Sequence, residues 1–216
     1  MNNLMSFVQT LNNIDNNPYF KKLNTIKIEN FLKSQECFIS AVDNWSKVLG
    51  ILLSKVPTFK ERAIIIDNLY DEHGEGNIEN SHVNTFIKFM KSLGYEKELL
   101  INNDSLSSYE YVKLFNDKLL YKVNNKSWLF SVAMLGMIEY TYITISKYIH
   151  EYVSQFIISE DIHHYSLHEI VDVKHATELF ELLNPYLDCN SEIIISGLLT
   201  GYELMDQLYK DLSQFL

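Results

Sequence analysis

The sequence predicts an all-α protein: one bundle of about seven or eight helices in a single domain over residues 1–216. Three observations carry that prediction. Apolar residues recur at three-, four- and seven-residue steps along most of the chain, the period of an amphipathic helix. Only seven Gly and three Pro occur, too few to punctuate a many-turned β fold. No stretch shows a convincing strand alternation, and no internal repeat is visible.

The elements follow in order. Met1 to Leu11 reads as a short amphipathic helix, stopped by the polar run Asn12 to Asn17. Asn17 before Pro18 suits a helix start, with Pro at the first helical position, so Tyr19 to Leu23 is a second short helix. Thr25 to Lys55 reads as one long helix, because Phe31, Phe38, Val42, Trp45, Leu49 and Leu52 share a face; Pro57 ends it. Thr58 and Glu61 form a capping box for the next helix, which runs to Glu72 before Gly74 and Gly76. Ser81 caps a further helix that closes at Gly94. A polar loop over Asn102 to Ser105 precedes a helix from Ser107 to Tyr121. Ser127 to about Ile158 is apolar on most sides, the mark of a buried central helix. Asp161 is placed to cap the helix that ends before Asn184-Pro185, and Ser191 to Leu216 is the last.

Composition narrows the function classes. Hydrophobic residues make up 47% and charged residues 21%, an ordinary globular balance. The net charge is −10 and the pI about 5.1, with no Lys/Arg cluster; nucleic-acid binding is a poor fit. Cys37 and Cys189 are isolated, which argues against a thiolate zinc or dithiol site and fits a reducing cytoplasm. The N-terminal stretch is too short and too uncharged for a secretory signal. No run approaches 18 apolar residues, so no membrane span is expected. A homodimer is the expected assembly, on base rates alone.

The richest stretch is His168-Glu169-Ile170-Val171-Asp172-Val173-Lys174-His175. Positions i, i+4 and i+7 of a helix lie on one face. Two imidazoles and a carboxylate therefore point the same way, a ligand set suited to iron, manganese or zinc. The bland alternative is a solvated charged face. Glu139 is the one acid of the central helix set in an apolar context, and a lone buried carboxylate must be neutral, paired or metal-bound. Glu72 ends one helix and His82 begins the next, joined by a Gly-containing loop that lets both reach one centre; the bland reading is an acidic loop. Together these residues offer three imidazoles and three carboxylates on four helices. Six ligands exceed what one zinc takes and suit two metals with open positions, a natural dioxygen-activating site. A ferritin-like arrangement through Glu79-x-x-His82 and Glu160-x-x-His163 competes, but those acids fall in or beside predicted loops. His73, His163 and His164 read as loop or surface histidines.

At these residues the chain resembles the heme-oxygenase-like di-iron oxidases. The resemblance is carried by Asn68-Leu69-Tyr70-Asp71-Glu72, by His82 with the trailing Leu93-Gly94, by Glu139, and by His168, Asp172 and His175 followed by Ala176. It extends across nearly the whole chain, including Pro18-Tyr19-Phe20. It implies a helical bundle without heme that holds two iron ions, with manganese an alternative, through Glu72, His82, Glu139, His168, Asp172 and His175. It also implies oxidation of a small organic molecule (amino acid, fatty acid or amine-like) by dioxygen, with an external electron donor where the reaction needs one. Tyr140, Tyr142, Asp71 and Lys174 are candidates to support the ligands. One branch of the family makes para-aminobenzoate and draws on a lysine about ten residues after the central Glu. Here Ile149 stands there, with Lys147 two residues earlier, and Phe20 neighbours Tyr19 at the front. Competing readings are a metal-free thiaminase-like or pyrroloquinoline-quinone-synthase-like enzyme, a helical interaction protein, and an iron-storage or sensing protein.

Overall fold

A computed structural model describes residues 2–97, 109–157 and 163–216. Among these residues there is no strand; the chain forms ten α-helical segments joined by turns and single 3₁₀ turns. They are α1 (Asn2–Leu11), α2 (Pro18–Leu23), α3 (Ile28–Gln35), α4 (Ile39–Lys55), α5 (Phe59–Glu72), α6 (His82–Ser92), α7 (Tyr109–Asn125), α8 (Trp128–Val153), α9 (His163–Leu183) and α10 (Leu187–Leu212). The loop over 102–105 and the cap at Asp161 lie outside the described residues.

Several expected caps form. The Asn17 side chain accepts from Tyr19 N at 3.0 Å. Thr58 accepts from Glu61 N at 3.2 Å, and its hydroxyl donates to the Glu61 carboxylate at 2.7 Å. Ser81 and Ser127 cap α6 and α8 in the same way. Each oxygen satisfies a backbone donor that the first helical turn leaves open.

One expectation fails. Thr25 to Lys55 is not a single helix. The chain turns at 24–27, then breaks again between Gln35 and Ile39. Tight bonds from Phe38 N to Gln35 O and from Ser40 N to Cys37 O mark that joint. The cause is polar anchoring rather than Gly or Pro. Ser34 and Gln35 are fully buried, and both bond to the Tyr19 hydroxyl. Gln35 also accepts from the Tyr165 hydroxyl at 3.0 Å. Holding these side chains against α2 and α9 sets where α3 stops.

The 26-residue α8 is the axis, packed chiefly against α9 and α10. It is apolar enough in length and composition to cross a membrane, yet 78% of its most apolar window is buried inside the bundle. That is the pattern of a core helix. Its neighbours come close because glycine faces them. A Cβ on Gly197 would lie 2.5 Å from Phe130 O, and one on Gly136 would lie 2.9 Å from the Phe180 ring. α4 packs on α7 and closes the far side of the core. α10 kinks at Asn190 (φ −132°, ψ 23°), then continues through its Gly197 and Gly201 contacts with α8.

Candidate metal centre

Four helices deliver the candidate ligands to one buried place. Glu72 closes α5. Gly74 and Gly76 then adopt φ of +78° and +87°, values open to glycine at no steric cost. The backbone folds back within nine residues, and His82 opens α6 beside Glu72. Glu139 comes from the middle of α8. His168, Asp172 and His175 come from one face of α9, as their spacing predicts. The structure thus brings all six predicted residues together, and five of them are buried; His82 is nearly so.

His82 Nδ1 pairs with the Glu72 carboxylate. His168 Nδ1 lies 2.8 Å from Asp172 Oδ1. His175 Nδ1 lies 3.8 Å from Glu139 Oε1, which accepts from the Asn68 side chain at 3.4 Å. The other nitrogen of His175, Nε2, is 3.0 Å from Asp71 Oδ2, and Lys174 Nζ is 3.1 Å from the same oxygen. An ionised Asp71 only accepts, so Nε2 carries the proton and Nδ1 presents its lone pair inward. Metal-binding histidines are held this way.

Charge is poorly balanced in this space. Burial, with the charges of Asp172 and Glu72, pushes the Glu139 carboxyl well above its ordinary value, against the pull of His175 and Asn68. Burial and Glu72 do the same to Asp172. Burial also acts to raise Glu72, but the imidazoles of His82, His168 and His175 outweigh it and hold Glu72 low. Burial pulls His168 down, against the pull of Glu72. Both carboxyls are thus biased toward the neutral form by their surroundings.

The residues present fit a metal. Among the described residues, His82 Nε2, His175 Nδ1 and Asp172 Oδ2 are buried with no hydrogen-bond partner. Two trios of donor atoms each lie within 4.8 Å of one another, Glu72 with Glu139 and His175, and His82 with His164 and His168; Asp172 stands outside both, bonded to His168. A cation would satisfy the open donors and replace the carboxyl protons.

Some assignments change. His164 is a buried member of the second set, not a surface histidine. Its place is legible afterwards, because it lies one turn before His168 on the same face. Tyr140 turns away and packs near Phe180. Tyr142 stays, its ring edge-on to His168 at 5.8 Å. Glu79 is exposed, and its backbone carbonyl and carboxylate meet Lys88 instead of the centre. Glu160 and the His163 side chain lie outside the described residues. Lys147 is exposed and borders a surface cleft with Asp15, Glu151 and Glu169, while Ile149 is buried in the core.

The centre has two faces. A largely apolar pocket reaches Glu72, His82, Glu139, His168 and Asp172. Its walls are Phe38, Ala41, Val42, Trp45, Phe115, Ile138, Tyr142, Met205 and Leu208. On the other side a polar depression runs past Asp71, Glu75, Asn80 and Thr85 to His82, His168 and His175.

Fold and site define an all-α bundle built around an internal cluster of His and carboxylate side chains with the donor set of a metal centre. A family model described as that of iron-containing redox enzymes matches residues 37–206, the span that holds every candidate ligand. The chain belongs to that family. Two crystal structures of a CADD-like protein of unknown function from Nostoc punctiforme PCC 73102 share the fold. The 2.00 Å structure superposes with a TM-score of 0.80 at 15% identity, covering 99% of this chain and 96% of that one. The 1.35 Å structure gives 0.76 at 15% identity, with 99% and 94% covered. At that identity the likeness is one of fold alone. No curated protein matches the chain.

Proposed function

We propose that the chain is a non-heme di-iron enzyme that uses dioxygen to oxidise a small organic molecule. The observation that carries this reading is the convergence of three imidazoles and three carboxylates, with partnerless buried donor atoms, at the inner end of an apolar cavity. Two ferrous ions held by Glu72, His82, Glu139, His168, Asp172 and His175 would supply electrons to dioxygen and the oxidising power for the substrate.

The chain's own residues do the rest. Asp71, itself held by Lys174, fixes the His175 ring and its tautomer. Asn68 steadies the Glu139 carboxylate. The aromatic wall of Phe38, Trp45 and Tyr142 excludes water from the reacting side. That wall also narrows the substrate. The cavity lining contains no Lys or Arg among the described residues. That lining favours a fatty-acid-like or aromatic molecule: an apolar body against α4, α8 and α10, with its polar end toward the ligands. A free amino acid would leave a charged group against the apolar wall, at a cost of several kcal/mol. Among the described residues no lysine lines the pocket, so the lining gives the lysine-dependent para-aminobenzoate reaction no support.

The test is anaerobic ferrous titration followed by rapid mixing with dioxygen, watched in the visible region, with His175→Ala alongside. Two irons per chain and a transient band, both lost in the variant, are expected. Less than one iron per chain and no transient would sink the reading.

A further inference from the structure

We propose that His164 is a seventh metal-binding side chain, which gives one position of the centre three imidazoles. The inference rests on the metal-centre reading above but concerns a residue outside the six-ligand set. His164 sits one turn before His168 on α9 and is 1% exposed. Its ring stacks on His82 at 5.0 Å between centroids and meets His168 edge-on at 4.9 Å. His82 and His168 are 4.2 Å apart. The three rings form one contiguous group between α6 and α9, with a ligand atom from each within 4.8 Å of the others.

The tautomer follows from hydrogen-bond accounting. The Thr85 hydroxyl has one proton, and it donates that proton to the His82 carbonyl at 3.0 Å. The same oxygen lies 3.0 Å from His164 Nδ1. In the proposed arrangement the oxygen accepts there and Nδ1 carries the ring proton; the reverse, Thr85 donating to Nδ1, would give up the bond to the His82 carbonyl. Nε2 is then the nitrogen with a lone pair, as a metal ligand requires. Asp71 plays the same part for His175 at the opposite end of the centre. Thr85 therefore sets the orientation of one ligand while it is tied to the backbone of another, His82.

The consequence is an asymmetric centre. One set, Glu72, Glu139 and His175, is rich in carboxylate. The other, His82, His164 and His168, is all imidazole. Nitrogen ligands and oxygen ligands rank metals differently, so the two positions have distinct affinities.

Cobalt(II) alone is the probe, titrated into metal-depleted full-length protein. Its uptake is followed by visible absorption, and hyperfine-shifted exchangeable imidazole protons are counted by proton NMR. The wild type is expected to bind two ions with separable affinities. His164→Gln should keep the carboxylate-rich position unchanged. The other position should weaken at least as much as the roughly 10–100-fold that loss of a supporting partner costs. One shifted N–H signal should disappear. Thr85→Val retains the ring but removes its anchor, and should weaken the same position about tenfold. Circular dichroism of each variant checks the fold, and Thr85→Val decides the matter if His164→Gln does not fold. Wild-type affinities at both positions with every shifted signal retained would make His164 a core histidine. A wild type that binds no cobalt and no iron would overturn both this proposal and the metal centre. One that binds both metals while only the His164 effect fails would overturn this proposal alone.

Discussion

Asp71 shows how a residue off the ligand list governs the centre. It accepts from His175 Nε2 and from Lys174, so it fixes a ring without touching the proposed ion. Asp71→Ala should lower iron affinity by roughly 10–100-fold, the usual effect of losing such a partner. Ferrous titration measures it, and unchanged affinity would remove Asp71 from the centre. At this scale the convergence of the six predicted residues was legible because helical spacing and an acid in an apolar run are local signals. His164 carried the same spacing, but its neighbour His163 and a presumed helix start suggested a solvent-facing turn. Tyr140 was misjudged for a different reason. Adjacent to Glu139, it sits about 100° around the helix and points elsewhere. Asn68 stands in the segment that carries the resemblance but had no role assigned there, since only the tertiary approach of α5 to α8 puts it on Glu139.

At the scale of elements, the loop between α5 and α6 is the piece on which Glu72 and His82 depend. A Cβ on Gly74 would meet the Asn77 carbonyl and lie 2.6 Å from Ser81 N, in a backbone with φ +78°. Gly74→Ala should therefore cost about 1–3 kcal/mol and also weaken metal binding by displacing His82. Denaturant melts with and without iron separate the two effects; a melt and an affinity both like wild type would show that the loop yields freely. Gly197→Ala tests the core in the same way. Its Cβ would press on Phe130 O and Ala133, and overpacking of this kind costs about 1–3 kcal/mol. A smaller change in the melt would mean that α10 slides on α8 without penalty. Helix identities and most caps were legible because Ser, Thr, Asn, Pro and Gly act locally. The α3–α4 joint was not. Its cause is the buried bonding of Ser34 and Gln35 to Tyr19 and Tyr165, residues near in space but distant in the chain.

At the scale of the molecule, the bundle buries a cluster of carboxylates and imidazoles whose charges depend on pH. The folded pKa values of Glu139 and Asp172 are raised by burial and by neighbouring carboxylates. The folded state therefore binds more protons at these sites than the unfolded chain does. Their contribution to stability falls as pH rises above the ordinary carboxylate range near about 4, and continues to fall up to their raised values. His168 acts in the opposite direction. Its pKa is lowered, so its contribution is lost as pH falls through and below the unfolded value of about 6.5. Bound metal requires deprotonated carboxylates and neutral imidazoles, so binding displaces the protons that both effects describe. The difference in melting temperature between iron-loaded and metal-depleted protein should therefore widen as pH rises from 5.5 to 7.5. At 100 times the dissociation constant, each filled site adds about 2.7 kcal/mol. Anaerobic thermal melts across that pH range measure the gap. A gap that stays constant with pH would mean that the metal does not compete with protons on Glu139, Asp172 and His168, and so does not bind where the four helices meet.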